Sequence, residues 1–235
     1  MSAWVAKRFW KAATVEALAG AFTVHLDGRA VKTPLKASLI LPTRPMADAI
    51  AQEWDAQQGK INPERMPMTR FANSAIDKVA PQFDTVVEIV AAYGETDLLC
   101  YRATGPDGLI RRQDTHWNPM LDWAASRLNA PLVATPGVVY VAQPPATLSA
   151  LRSRIAALSP FQLAAFHDLV AITGSLILAL AVLDGYLPPE QAWTISRIDE
   201  NWQIEQWGVD EEAAALAISK QTALTEAARF TALCG

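Results

Sequence analysis

The chain has few of the residues from which metal centres and disulfide frameworks are built. Its 235 residues include only two cysteines, Cys100 and Cys234, and three histidines. The cysteines lie far apart and form no motif, and no histidine has a second ligand three or four residues away. We therefore expect no bound metal ion and no disulfide.

The chain also lacks a large excess of either positive or negative charge. The sequence has 20 basic and 24 acidic residues, which gives a formal net charge of -4. This balance does not favour binding to nucleic acid or to an anionic membrane surface. The first twenty residues lack the apolar core and cleavage site of a signal peptide, and they are poor in arginine for a transit peptide. We expect an intracellular protein.

No apolar run is long enough to cross a membrane. The most apolar uncharged run, residues 169–183, has 15 residues between Asp168 and Asp184. As a helix it would span about 22 Å, whereas a bilayer crossing needs about 20 apolar residues. A short helix that is apolar on every side is typical of a protein core. The run therefore predicts one buried central helix and no stable membrane insertion.

The N-terminal part of the chain predicts a small antiparallel sheet. Apolar residues at positions 22, 24 and 26 alternate with polar ones, as in a half-buried strand. Asp27-Gly28 follows, a dipeptide that favours a two-residue hairpin turn. Thr43 then occupies the position of an N-cap, and Pro45 lies in the first turn of a helix expected to end near Gly59. Strands are expected at residues 11–17, 22–26, 29–33 and 38–41.

The remainder of the chain predicts mostly helices separated by proline and glycine. The fold class is therefore α+β. A small N-terminal antiparallel β-hairpin sheet with a covering helix (residues 1–66) is followed by a larger all-α orthogonal helical domain (residues 67–235). The short apolar run at residues 98–103 is compatible with either a helix or a strand. The run at residues 138–141 is β-like and has no neighbouring strand in the sequence. Helices are expected at residues 109–128, where Pro119 would perturb or divide the helix, and at 146–158, 169–183, 188–207 and 210–233. Asp210 is expected to be the N-cap of the last helix.

Motifs for nucleophilic catalysis or phosphate binding are missing. Ser175 follows Gly174, but it lacks the glycine spacing of a nucleophile elbow. Residues 28–33 lack the glycine spacing and the Gly-Lys-Thr run of a phosphate-binding loop. We expect no catalytic residue and no cofactor.

The polar-rich segment at residues 197–207 allows three interpretations. Its carboxylates Asp199, Glu200 and Glu205 could supply a general acid and base. The segment could instead be a solvated face whose two tryptophans pack on the central helix. It could also be an interaction surface with aromatic anchors. Composition and spacing do not decide between the three.

Several short motifs occur in a characteristic order over nearly the whole chain, and they include Leu26-Asp27-Gly28-Arg29, Glu53-Trp54, Met66-Pro67-Met68-Thr69, Thr96-Asp97-Leu98-Leu99-Cys100-Tyr101-Arg102-Ala103, Thr173-Gly174-Ser175-Leu176 and Asp199-Glu200 with Trp207-Gly208. Each motif is weak alone, but the ordered set is specific. Together they resemble the assembly chaperones for the alpha subunit of the soluble F1 sector of ATP synthase.

This resemblance implies a chaperone and not an enzyme. Such a protein is expected to bind the unassembled alpha subunit until the beta subunit replaces it. The partner-binding residues implied are Asp199 and Glu200, with Glu205 and Trp54 as further candidates. We also expect a protein that is monomeric when free. It would lie in the bacterial cytoplasm, or in the mitochondrial matrix if it is a processed eukaryotic member.

A hypothesis from another class stays open beside it. The protein could be a small-molecule enzyme that uses the carboxylates of the 199–205 helix with His116 or Arg102 in a cleft between the domains. That hypothesis requires a deep polar pocket in which two carboxylates converge.

Overall fold

The computed structural model describes residues 7–235 of the chain. Predictions about a targeting segment fall partly on residues 1–6, which lie outside the described residues. Strands are confined to short segments and most of the remaining chain is helical, so the predicted α+β class is confirmed. No helix within residues 7–235 is both long enough and apolar enough to cross a bilayer.

The N-terminal sheet has three antiparallel strands in the order β1-β2-β3, as the alternating pattern predicts. Their bounds are Ala13–Leu18, Ala21–Leu26 and Arg29–Ala30. The return strand is shorter than the five residues expected. The fourth predicted strand contributes only isolated bridges, one of which pairs Phe22 with Leu41.

The hairpin between β2 and β3 is fixed by Asp27. Asp27 and Gly28 both have positive φ angles, 47° and 81°, as a tight hairpin turn requires. The Asp27 carboxylate also accepts hydrogen bonds from the backbone N–H groups of Lys11 (2.9 Å) and Ala12 (3.0 Å). These two bonds hold the pKa of Asp27 below its usual value. The turn residue thereby attaches the chain that precedes β1.

Helix α1, Arg44–Asp55, packs on this sheet. The hydroxyl of Thr43 accepts a hydrogen bond from the N–H of Met46 (3.3 Å), which confirms the predicted N-cap. The face of α1 that carries Met46 and Ile50 is buried. The predicted covering helix is therefore present at the predicted place.

The chain then passes through short helical segments. A 3-10 turn at Pro63–Arg65 precedes α2, Pro67–Ser74. One π-helical turn, Ala75–Val79, follows α2, and a 3-10 turn at Ala80–Gln82 leads to α3, Phe83–Ala91.

The apolar run at residues 98–103 contains both kinds of structure that its sequence left open. Leu98–Cys100 forms a 3-10 turn, and Tyr101–Arg102 forms β4, which pairs in parallel with β5, Thr135–Pro136. Helix α4 runs between these strands from Asp107 to Leu128 and is not divided at Pro119. Residues 138–141 are not a strand, and Val138 and Val139 are exposed.

The prediction of one central helix over residues 169–183 is wrong, although most residues of the run are buried, as expected. Helix α6, Pro160–Thr173, ends at Gly174, whose φ of +67° lies outside the helical region. Ser175 then caps α7, Leu176–Leu183, by accepting a hydrogen bond from Leu178 N–H at 3.0 Å.

The single helix predicted over residues 188–207 is also two helices. Helices α8, Pro189–Ser196, and α9, Ile198–Trp207, are separated at Arg197, whose backbone angles (φ -110°, ψ 22°) are not helical. Asp210 caps α10, Glu211–Ala232, as predicted, because its carboxylate accepts from Ala213 N–H at 2.7 Å. Helix α5, Pro145–Ala156, lies at the predicted position.

The described chain packs as two compact units. The first contains residues 7–83, 159–165 and 229–235, and the second contains residues 84–158 and 166–228. Division into independently folding domains at residue 66 stays a prediction.

Candidate interaction surface

Helix α9 is attached to α4 through Trp202. The ring of Trp202 lies so close to Gly108 that a β-carbon at that position would be 2.6 Å from it. On the Trp202 ring, the guanidinium carbon of Arg112 stacks at 5.0 Å from the centroid. Trp202 therefore packs on α4, a contact that none of the three interpretations of the segment included.

Glu205 is held by the same arginine. Its two carboxylate oxygens accept hydrogen bonds from Arg112 Nη1 (2.7 Å) and Nη2 (2.8 Å). This bidentate ion pair lowers the pKa of Glu205 and raises the pKa of Arg112. Glu205 therefore remains ionised at neutral pH and positions Arg112 over Trp202.

The two adjacent acids of α9 have different surroundings. Asp199 is half-buried and accepts a hydrogen bond from the Gln113 side-chain amide at 2.6 Å. Gln113 is 1% exposed and accepts in turn from Ala103 N–H at 2.8 Å. Glu200 is exposed, and its nearest cation, Arg197, is 3.8 Å away. Of this pair, only Glu200 presents its carboxylate to solvent without a close hydrogen bond from the described chain.

An apolar groove lies between α9 and the first half of α10. Trp207 is 79% exposed and Leu216 is 57% exposed, and both line a pocket of about 370 Å³ together with Ile204. Glu200 and Lys220 also line it. These five residues are called the α9–α10 surface below.

This groove is the part of the site that the sequence did not predict. The interpretation of residues 197–207 as a solvated face requires Trp207 to pack on the central helix. Trp207 is instead exposed to solvent. The apolar residues of α10 were overlooked because alanine and glutamate dominate its composition. Leu216 and Ile218, both exposed, could have been found by asking which apolar side chains the helix periodicity leaves unburied.

Trp54, the fourth candidate residue, belongs to the first compact unit and is not part of this groove. Its ring meets Trp10 edge to face, with centroids 5.2 Å apart. The indole nitrogen of Trp54 is buried without a hydrogen-bond partner in the described chain. Trp54 also lines a separate pocket of about 500 Å³.

The geometry required by the enzyme hypothesis is not formed around these carboxylates. His116 and Glu205 line one pocket of about 270 Å³, but Glu205 is bound to Arg112, and Asp199 and Glu200 are not among its lining residues. The Arg102 side chain donates to Leu99 O (2.8 Å) and Asp114 (3.3 Å). Within residues 7–235, no three histidine, cysteine or acidic side chains are grouped as a metal site requires.

An exposed tryptophan beside an apolar groove is typical of proteins that bind other proteins. Comparison with known proteins agrees with that class. The sequence pattern of the ATP12 chaperone protein family matches residues 7–125, about half of the chain. The chain belongs to this family, which confirms the resemblance found in the sequence.

Relatives of known structure share the fold over nearly the whole chain. The crystal structure of Atp12 from Paracoccus denitrificans is 50% identical, covers 98% of this chain and 99% of its own, and superposes with a TM-score of 0.96. A putative chaperone from Agrobacterium tumefaciens, Atu1473, is 40% identical, covers 96% of this chain and 84% of its own, and has a TM-score of 0.89. The protein named atp12, mitochondrial, of Schizosaccharomyces pombe is 27% identical over an alignment of 219 residues that covers 88% of this chain and 75% of the relative.

Proposed function

We propose that this protein is a chaperone for assembly of the soluble F1 sector of ATP synthase, and that it binds the unassembled alpha subunit until the beta subunit replaces it. Membership of the ATP12 chaperone family supports the proposal. The physical reason is general. A subunit that will bury a large apolar interface exposes that interface before assembly and is then prone to aggregate. A temporary cap must cover it and yet lose to the correct partner.

The observation that carries the proposal is the exposure of Trp207 beside the apolar groove of the α9–α10 surface. A tryptophan that stays 79% exposed adds no packing to the core, but its large rigid ring can anchor a partner. Glu200 adds an open carboxylate that can meet a cation on the alpha subunit. In this proposal Trp207 and Glu200 contact the partner, while Asp199 and Glu205 position α9 through Gln113 and Arg112.

The test is co-elution of the purified protein with isolated alpha subunit on a sizing column, followed by titration of the affinity. We expect binding to isolated alpha subunit and none to the assembled F1 hexamer. Trp207→Ser should weaken binding at least tenfold, because loss of a central aromatic anchor typically costs more than 1.4 kcal/mol, or about a factor of ten. Ile89→Ser is the matched control, since Ile89 is 52% exposed on α3 and lies outside the groove.

Charge reversal provides the second arm of this test. Glu200→Lys should weaken binding, and the effect should shrink at high salt because exposed charges are screened. Asp122→Lys is its control, because Asp122 is exposed on α4 and forms no ion pair within the described chain. Failure of the native protein to bind alpha subunit would refute the proposed function. Equal binding by native protein, Trp207→Ser and Glu200→Lys would refute only the proposed surface.

Oligomeric state and location complete the proposal. We infer a monomer when free, to be checked by light scattering on the same column. We also infer that the protein works in the bacterial cytoplasm, or in the mitochondrial matrix if it is a processed eukaryotic member. The S. pombe relative is mitochondrial by name.

A further inference from the structure

The first compact unit has its own pocket, separate from the α9–α10 surface. It has a volume of about 500 Å³, which is large enough for one or two side chains. Most of its apolar lining comes from three short segments, which contribute Leu35, Trp54, Ile61 and Met66. All four lie within residues 7–83, so the pocket is formed by one unit.

One wall of this pocket is a tight loop that Asp77 holds in place. The Asp77 carboxylate accepts from the Thr33 hydroxyl (2.6 Å) and from Leu35 N–H (3.0 Å). Leu35 is nevertheless 72% exposed. An apolar side chain kept in solvent by a fixed backbone is pre-organised for contact, because little conformational entropy remains to be lost on binding.

Two residues that line the pocket carry polar atoms without partners. Trp54 Nε1 is a donor and Asn73 Oδ1 is an acceptor, and both are buried without a hydrogen bond in the described chain. Unsatisfied buried polar groups are costly and uncommon in native proteins. Both atoms are closed to solvent in this conformation, so a bound segment can pair its C=O and N–H with them only after neighbouring side chains move.

The charge available at the pocket is positive. Arg70 and Lys78 both line it and are exposed, and neither forms an ion pair within residues 7–235. The carboxylate of Asp77, the lining acid, already accepts hydrogen bonds from Thr33 and Leu35. Asp77 and Lys78 lie in the π-helical turn Ala75–Val79, and such turns are found frequently at functional sites.

From these observations we propose that the pocket docks a short extended segment of a protein partner, in which an apolar side chain is followed or preceded by a carboxylate. The apolar side chain fills the space beside Leu35 and Trp54. The carboxylate lies within reach of Arg70 and Lys78. This inference rests on the proposed function only for the identity of the partner, the alpha subunit, which would then be held at a second point besides the α9–α10 surface.

Peptides test the pocket without the alpha subunit. The probe is an array of 12-residue peptides with a central leucine or phenylalanine flanked either by aspartates or by lysines. We expect the native protein to bind aspartate-flanked peptides at least fivefold better. The double variant Arg70→Glu/Lys78→Glu should lose or reverse this preference. Arg29→Glu/Arg127→Glu is the control, since it reverses two exposed cations that do not line the pocket.

Nuclear magnetic resonance locates the site of binding. The indole N–H signal of Trp54 is assigned from its absence in Trp54→Phe. It should shift on addition of the best aspartate-flanked peptide, whereas the signal of Trp207 should not. Absence of any peptide preference, or a preference that survives Arg70→Glu/Lys78→Glu, would overturn the inference. So would a peptide response that leaves the Trp54 signal unmoved.

The alpha subunit then provides the second measurement. If the native protein binds it, Arg70→Glu/Lys78→Glu should bind at least fivefold more weakly than the control variant. If the native protein does not bind alpha subunit but shows the peptide preference at Trp54, the proposed function fails and the pocket stands. If alpha subunit binds and the peptide preference is absent, the pocket inference fails and the proposed function stands.

Discussion

Asp97 offers a sharp test of how the helical core is held together. Its carboxylate is fully buried and lies at the start of α7. It accepts hydrogen bonds from the Ser175 hydroxyl (2.8 Å), from Leu99 N–H (3.0 Å) and from Ile177 N–H (3.1 Å). It thereby joins the turn at residues 98–100 to the N-terminus of α7, where a negative charge is favoured.

Two effects act on this carboxyl in opposite directions. Burial disfavours the charged form, and hydrogen bonds from the backbone and Ser175 favour it. Burial is the larger effect, and it raises the pKa of Asp97 from 3.8 to about 6. Since the pKa in the folded state is higher than in the unfolded chain, the folded state binds this proton more tightly.

The sign of the pH dependence follows from that difference. The stabilisation linked to protonation is complete below pH 3.8, and it is lost as the pH rises through the folded pKa of about 6. Between pH 7 and pH 5, protonation of Asp97 should therefore raise the free energy of unfolding by about 1 kcal/mol, since a shift of one pKa unit corresponds to roughly that free energy.

The assay compares the native protein with Asp97→Asn, which keeps the size of the side chain but cannot titrate. Urea unfolding is followed at pH 5 and pH 7 by circular dichroism and by tryptophan fluorescence, and coincident transitions establish that a single free energy is meaningful. Other titrating groups contribute to both proteins and cancel in the difference. An equal change in stability between the two pH values for both proteins would refute the reasoning.

Two further predictions concern the attachment of α9. Gly108→Ala should lower the free energy of unfolding by about 1–2 kcal/mol, because the clash of its new methyl group with Trp202 outweighs the gain in helix propensity. Thermal unfolding measures this loss, and an unchanged or raised melting temperature would contradict the prediction. Asp199→Lys should cost about 1–3 kcal/mol, because Gln113 loses its acceptor in a buried place. Asp199→Asn retains an acceptor and should cost under about 1 kcal/mol, so equal losses for both variants would argue against this role.

The parts of the fold that the sequence predicts are those determined locally. Asp27-Gly28 specifies its own turn by the φ angles it tolerates, and Thr43 caps α1 with its own hydroxyl. The capping of α10 by Asp210 is predicted for the same reason. In each case a side chain bonds to backbone within three residues, or a residue sets its own backbone angles, so no knowledge of distant packing is needed.

The breaks within helical runs could not be predicted in the same way. The run at residues 169–183 has continuous apolar composition, and Gly174 alone is compatible with either an unbroken helix or a break. The break is favoured by a residue 78 positions away, because Asp97 accepts from Ser175 and so supports a new N-terminus there. The separation of α8 from α9 at Arg197 has no proline or glycine to mark it.

The motifs that reveal the family mostly describe how the fold is held together. Asp27 attaches the chain before β1, Glu53 accepts from Met68 N–H (2.7 Å) and Thr69 N–H (2.8 Å) at the start of α2, and Asp97 accepts at the start of α7. These acids act on backbone groups of the chain itself. A resemblance carried by such residues is strong evidence for the fold and weak evidence about which residues meet a partner.

The residues best placed to meet a partner have the opposite character. Trp207, Glu200, Leu35 and Lys78 are exposed and contribute little to the core of their own unit. This contrast separates the neighbours Asp199 and Glu200, which the sequence could not. Asp199 is bound to Gln113 and belongs with the acids that hold the fold. Glu200 borders the apolar groove with its carboxylate open to solvent, and for that reason the proposed function assigns the partner contact of α9 to Glu200.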